Sequence, residues 1–254
     1  MHHAKLIRMH SATFRFYAQL NDFLPEDQRQ VSFGVPFEGR VSVKHPVESI
    51  GVPHSEIDLI IVNGDSEDFS YLVQNGDFVS VYPVFESVDI STIGRLRPKP
   101  LRITRFVLDT HLGQLATYLR LLGFDSLYRN DYGDAELAWI SSEQRRIVLT
   151  RDRGLLKRSL VTHGYFVREI DPRLQIREVI RRFDLKGIIV PFQRCLKCNG
   201  ELENIDKEAI VDRLEHDTSS YFDEFRICLS CSQIYWKGSH YERMQRFLDE
   251  LLGK

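Results

Sequence analysis

Residues 103–123 read Ile-Thr-Arg-Phe-Val-Leu-Asp-Thr-His-Leu-Gly-Gln-Leu-Ala-Thr-Tyr-Leu-Arg-Leu-Leu-Gly, and residues 147–153 read Ile-Val-Leu-Thr-Arg-Asp-Arg. In both stretches a compact apolar run ends and an aspartate follows within three residues. The run Ile103 to Leu108 predicts a buried strand, and Leu112, Leu115, Ala116, Leu119 and Leu122 recur at helical spacing, with Gly123 as the stop. Working outward, a short strand is predicted near Asp125 to Tyr128, and a helix from Asp134 to about Gln144. The strand Ile147 to Thr150 leads into a helix near Arg153 to Leu160. Tyr165 to Ile170 reads as a further strand, and Pro172 starts a helix to about Phe183. Strand alternating with helix implies an α/β unit built on an open, largely parallel sheet.

In such sheets reactive groups gather beyond the carboxyl ends of the strands. Asp109 and Asp152 occupy that position, while Asp134 and Glu136 begin the intervening helix. Carboxylates so placed suit one or two Mg²⁺ or Mn²⁺ ions, which prefer oxygen ligands and activate water for attack on phosphorus. Each acid also has a structural reading, because Asp is a favoured helix N-cap. The combination in one predicted cleft favours the chemical reading. Asp131 lies close enough to compete with Asp134 and Glu136 for the middle position.

Toward the amino end the rhythm changes. Ala12 to Phe16, Val41 to Lys44, Leu59 to Val62 and Phe78 to Tyr82 read as short strands, with Asn63-Gly64 and Gly76-Asp77 as turns, and Pro46 to Ile50 begins a short helix. Val62-Asn63-Gly64, the Gly-Asp turn and Val79-Ser80-Val81-Tyr82-Pro83 resemble the β-grasp fold of ubiquitin-like sulfur carriers. Those carriers load sulfur on a free terminal diglycine. Here the chain runs on past Pro83, so a docking role is expected in place of carrier chemistry. Residues 87 to 102, with turn formers, two prolines and four basic residues, mark the boundary. The segments are accordingly a β-grasp domain over 1–90, a linker over 91–102, an α/β domain over 103–190 and a cysteine-bearing tail over 191–254.

All four cysteines fall in two CxxC pairs, Cys195-Cys198 and Cys228-Cys231, separated by 29 residues. Four thiolates enclose a tetrahedral Zn²⁺ with no open position, which is a structural site. A redox CxxC competes with this reading, but two pairs together favour metal. The acidic spacer is a poor grip for RNA. Near the end, Trp236, His240 and Tyr241 offer base stacking or packing of the ribbon as alternatives.

The net charge of −2 conceals a division along the chain. Residues 1–94 carry 6 Lys/Arg against 13 Asp/Glu, residues 95–194 carry 20 against 11, and residues 195–254 carry 8 against 12. The basic middle, rich in Arg, suits a polyanion, with a salt-bridged solvated face as the alternative. Arg151 and Arg153 flank Asp152, and with Arg120, Lys157 and His240 they are the expected contacts to that polyanion, which the family resemblance given below implies to be RNA. No apolar run is long enough for a bilayer or a secretory signal, which predicts a cytoplasmic protein without a membrane partner. No phosphate-binding P-loop, dinucleotide glycine signature or Ser-His-Asp arrangement is present.

Phe106-Val107-Leu108-Asp109, His111-Leu112-Gly113-Gln114-Leu115-Ala116, Leu119 to Asp125 and Leu149-Thr150-Arg151-Asp152-Arg153 together resemble the Mut-seven carboxy-terminal RNase family. The resemblance extends over about residues 103 to 250 and takes in Gln233 to Tyr241. It implies a PIN-like nuclease with a zinc ribbon, preceded by a ubiquitin-like domain. It also implies Asp109 and Asp152 as ligands of a catalytic Mg²⁺ or Mn²⁺. The expected function is metal-dependent hydrolysis of RNA phosphodiesters. The alternative is a non-catalytic RNA-binding adapter whose ubiquitin-like domain recruits a protein partner.

Overall fold

The computed structural model describes residues 9–83, 96 and 104–253. The linker 91–102 therefore lies, Leu96 apart, outside the described residues. Two compact units emerge, one formed by Met1–Ile103 with Gly133–Phe166 and the other by Thr104–Tyr132 with Val167–Lys254. These units cut across the segments drawn from the sequence, because residues 133–166 pack with the amino-terminal sheet.

In the first unit, strands β1 (Met9–Phe16), β2 (Phe33–Glu38), β3 (Ile57–Val62), β4 (Asp65–Glu67) and β5 (Phe78–Pro83) form a sheet in the order β2-β1-β5-β3-β4, with helix α1 (Lys44–Ile50) between β2 and β3 in the chain. β1 and β5 run parallel and the other pairs antiparallel. This is the β-grasp arrangement. Alternation along β1 buries Ala12, Phe14 and Phe16 on one face, where they meet Leu20, Val35, Phe37, Val47, Ile60 and Val81. Truncating fully buried Phe14 to Ala would cost about 3–5 kcal/mol. Asn63 and Gly64 both take positive φ (52° and 101°), the backbone that a two-residue hairpin between β3 and β4 demands. Asp77, buried at the other predicted turn, accepts from Gln74 N, Tyr71 Oη and Asn63 Nδ2 at 2.7, 3.0 and 2.8 Å.

One local expectation is corrected and one strand is added. Val41 to Lys44 is not a strand: Ser42 makes one isolated bridge to Leu72, Val43 is the N-cap, and Lys44 already begins α1. Pro46 fits there because the first helical turn has no use for its missing N–H. β2 was not anticipated, since Gly34 and Pro36 disfavour strands. Its place at the sheet edge is where proline is tolerated.

The remainder of the first unit comprises α3 (Asp134–Gln144), β8 (Ile147–Thr150), α4 (Arg153–Leu156) and β9 (Gly164–Phe166), with β8 and β9 parallel. The second unit contains β6 (Phe106–Leu108), α2 (Gly113–Leu121) and β7 (Ser126–Tyr128), with β6 and β7 parallel, followed by α5 (Pro172–Arg182). The fold is thus α/β with parallel pairing, as the alternation predicts. Phe106, fully buried, meets Phe124 and Phe183 edge-on at 6.2 and 5.6 Å. Gly123, at φ 97°, ends the turn after α2, and a Cβ there would collide with the Val190 carbonyl. α4 and β9 are shorter than predicted. Beyond Phe166, the amides of Arg168 and Glu169 donate to the Glu178 carboxylate at 2.9 and 3.0 Å instead of continuing a ladder.

The carboxy-terminal part adds an antiparallel sheet of β10 (Leu202–Ile205), β11 (Phe225–Cys228) and β12 (Ile234–Trp236), with α6 (His216–Tyr221) in the spacer and α7 (Ser239–Leu252) at the end. Ile210, Phe225 and Ile234 form its small core. α7 lays Phe247 on Tyr118 and Tyr241 on Phe192, each at 4.5 Å between ring centroids. Tyr241 therefore packs the ribbon. Among the described residues no helix is long and apolar enough to cross a membrane.

Candidate active site and candidate metal centre

Asp109 directly follows β6 and is 5% exposed. It caps the short turn Thr110–Leu112: Oδ1 accepts from Thr110 N at 2.6 Å, and Oδ2 faces His111 Nε2 at 3.2 Å. Tyr128 at the end of β7 donates its hydroxyl to Thr110 O at 3.0 Å, and Gly113 leaves room for that ring, since a Cβ would sit 2.7 Å from the Tyr128 oxygen. Asp152, half-buried, repeats the pattern after β8. Its Oδ1 accepts from Gly154 N at 2.7 Å, capping α4, and its own N–H donates to Thr150 Oγ1 at 2.9 Å. The structural and chemical readings of these two acids are compatible, because each carboxylate oxygen carries two lone pairs and can accept from a cap and from a further partner at once.

Asp134 and Glu136 lie in the first turn of α3, where negative charge suits the helix dipole, but the N-cap is Gly133. Asp134 Oδ2 lies 3.5 Å from Arg158 Nη2. Asp131 is held by Arg129 through two 2.8 Å bonds, which lower its pKa. Asp109 belongs to the second compact unit and Asp134, Glu136 and Asp152 to the first.

Of the five expected RNA contacts, Arg120, Arg153 and Lys157 are held by groups of the chain itself. Arg120 is 4% exposed and donates to Ser126 O, Leu196 O and Lys197 O at 2.9, 3.0 and 3.2 Å; burial lowers its pKa. It serves the first cysteine loop. Arg153 lies over the rings of Phe23 and Phe166 at 5.0 and 5.5 Å, and Lys157 Nζ donates to Glu48 O at 2.6 Å. Their positive charge is legible in the sequence, but the direction of each side chain is not. Arg151 is half-buried and His240 is exposed in the first turn of α7.

The four cysteines come together, with their sulfur atoms all within 4.8 Å of one another. Cys195 and Cys231 lie 3.6 Å apart, and Cys198 and Cys228 3.4 Å. A disulfide needs about 2.0 Å, whereas the edge of a Zn–S₄ tetrahedron with bonds of about 2.3 Å is about 3.8 Å. The donor set fits zinc. The loops are near copies: Asn199 N and Ser232 N donate to Cys195 O and Cys228 O, both at 2.9 Å, while Cys195 N and Cys228 N donate to Gly200 O and Gln233 O at 2.7 and 2.9 Å. The residue after each second cysteine, Asn199 or Ser232, has positive φ (71° and 56°). Burial raises the Cys195 thiol, but hydrogen bonds with the Tyr235 hydroxyl and the backbone of Cys198 and Lys197 outweigh it and hold the pKa at about 7. Burial pushes Cys198 up to about 12, and Cys231 also upward.

Sequence reasoning missed the residues that join this centre to β7. Asn199 is 6% exposed; its Oδ1 accepts from Ser126 N at 2.8 Å and its Nδ2 donates to Asp125 Oδ1 at 2.7 Å. Tyr235, 3.1 Å from Cys195 Sγ, was also unassigned. The only signal was the Asn-Gly following Cys198, which marks a left-handed turn.

A family model described as the Mut7-C RNAse domain matches residues 104–248, and one described as Mut7-C ubiquitin matches residues 9–89. No curated protein matches the chain.

Proposed function

The chain belongs to the Mut7-C RNase family, and we propose that it is a metal-dependent ribonuclease whose acidic site includes Asp109 and Asp152, with Asp134 or Glu136 as the middle acid. The observation that carries this reading is the repeated junction: a parallel strand ends, an aspartate follows, and one carboxylate oxygen caps the next turn. Capping restricts the rotamer of each carboxylate, which lowers the ordering cost of holding a metal there. Mg²⁺ or Mn²⁺ at carboxylates supplies positive charge for the phosphoryl oxygens and lowers the pKa of water. The chain's own part is to hold the carboxylates, with the exposed His240 as a candidate RNA contact and Arg151, next to Asp152, as a second. Tyr128 steadies the Asp109 turn through Thr110 O.

Zinc in the four-cysteine centre completes the proposal as a structural ion. Its four thiol ligands leave no position for water. Reduced, metal-held cysteines also suit a cytoplasmic setting.

RNA binding and RNA cleavage, measured separately with Mn²⁺, Mg²⁺ or EDTA, test the reading. Cleavage in Mn²⁺ or Mg²⁺ that EDTA abolishes is expected. Tight RNA binding without metal-dependent cleavage would instead favour the adapter, with the ubiquitin-like domain as the recruiter of a protein partner.

A further inference from the structure

The turn that begins at Asp152 is held from outside by the amino-terminal sheet domain. Helix α4 is one turn long, too short to be stable alone, and its terminal carbonyls lack intrahelical partners. Ser55 Oγ donates to one of them, Leu156 O, at 3.1 Å, with Ser55 1% exposed and Leu156 fully buried. The next residue returns the favour: Lys157 Nζ donates to Glu48 O near the end of α1, at 2.6 Å. The Glu48 side chain in turn holds His54 Nδ1 at 2.7 Å, directly before Ser55. Each helix thus has a carbonyl near its carboxyl end satisfied by the other segment, a site where cationic donors are favoured.

Two further contacts fix the flanks. Arg153, immediately after Asp152, lies over Phe23 and Phe166. Phe166 N donates to the buried Glu56 carboxylate, and the Phe166 ring meets Phe23 edge-on at 5.7 Å. All these residues belong to the same compact unit. A domain serving only as a detachable recruiter has no need of hydrogen bonds at the carboxyl end of this turn and ring contacts at its start.

We propose that the ubiquitin-like domain is a built-in clamp on the Asp152 turn, with Ser55 and Lys157 as positioning residues for that carboxylate. The proposal rests on the reading of Asp152 as a metal ligand. It makes the domain part of the nuclease's own architecture, with the face around Ser55 and Glu56 already occupied by the same chain.

The test uses the zinc-loaded full chain in three forms: wild type, the double variant Ser55→Ala with Lys157→Met, and Lys157→Arg, which retains a cationic donor. Amide hydrogen exchange at residues 153–158 and Mn²⁺ affinity by electron paramagnetic resonance are read on each, and RNA cleavage on the wild type. In the double variant, exchange in 153–158 is expected to rise about tenfold with residues 115–119 unchanged. Its Mn²⁺ affinity is expected to fall about tenfold, as for other groups that orient metal ligands. Lys157→Arg is expected to stay near wild type in both. Unchanged exchange, faster exchange throughout the chain, or local loosening with Mn²⁺ affinity unmoved would each overturn the clamp. A wild type that binds no Mn²⁺ overturns both the clamp and the ribonuclease. One that binds Mn²⁺ without cleaving RNA overturns the ribonuclease alone, and the exchange and affinity results still decide the clamp.

Discussion

The cysteine loops at 195–200 and 228–233 and the aspartate turns at 109–112 and 152–156 are both pairs of near copies, but they close over different distances. Each cysteine loop makes its turn bonds within six residues of its own backbone, with Arg120 and Tyr235 adding side-chain bonds to the first, and the two then meet through a short antiparallel ladder. Each aspartate turn is completed by groups far along the chain: Tyr128 supports the Asp109 turn, while Ser55 and the main chain of Glu48 support the Asp152 turn. A motif that closes locally announces itself in sequence. One that is closed by distant side chains announces only its anchor.

The largest break in this comparison comes from the cysteine side. Cys228→Ala is expected to reduce bound zinc from one per chain to none and to unfold the ribbon, since structural zinc contributes about 10–16 kcal/mol in small zinc domains. Metal analysis and limited proteolysis of the 195–236 region check this; a folded ribbon without metal would show that its small core suffices. On the acidic side, Asp109→Asn retains a good N-cap, so stability should shift by about 0.5 kcal/mol or less. RNA cleavage, however, should fall by a factor on the order of 10²–10³. Thermal unfolding beside a cleavage assay separates the two effects.

Asn199→Ala sharpens the boundary between local and distant closure. The cysteine loop should survive, because its backbone bonds do not need the side chain, yet the buried Ser126 N–H loses its acceptor and alanine is strained at this positive φ, a combined cost of about 2–4 kcal/mol. Urea unfolding of the zinc-loaded variant measures it, and zinc content should remain at one.

The smallest effect is a pH dependence beside the Asp152 turn. Burial lowers the His54 pKa below 6.5, with Lys44 adding to the shift and the Glu48 carboxylate and Val161 backbone opposing it. The unfolded chain therefore binds the proton more readily. The stability contributed by neutral His54 is present above about pH 6.5 and is lost as pH falls toward the lowered value. The urea midpoint should drop between pH 7.5 and 5.5 by more in wild type than in His54→Gln; equal drops would remove His54 from the account.

The same contrast explains what the sequence revealed. Alternation or continuous burial made β1, β3, β5, β6 and β8 legible, and Gly123 and the Asn63-Gly64 turn carried their own conformational signal. Strands β2, broken by Gly34 and Pro36, and β4, only Asp-Ser-Glu, had no pattern to read. α4 read too long because Lys157 and Arg158 continue a helical composition after the backbone has turned. Among candidate site residues, the cysteines stood out by spacing, and Asp109 and Asp152 by their place just after apolar strands. Arg120, Arg153 and Lys157 did not reveal their partners, since a long cationic side chain has the same composition whether it faces a carbonyl, a ring or solvent.

The most direct test of the ribonuclease reading is single-turnover RNA cleavage across a Mn²⁺ titration by wild type, Asp109→Asn and Asp152→Asn, each with its zinc content verified. Metal-dependent cleavage by the wild type, lost in both variants while RNA binding and zinc are retained, is the predicted result. Wild-type rates in either variant would contradict the assignment of the acidic site.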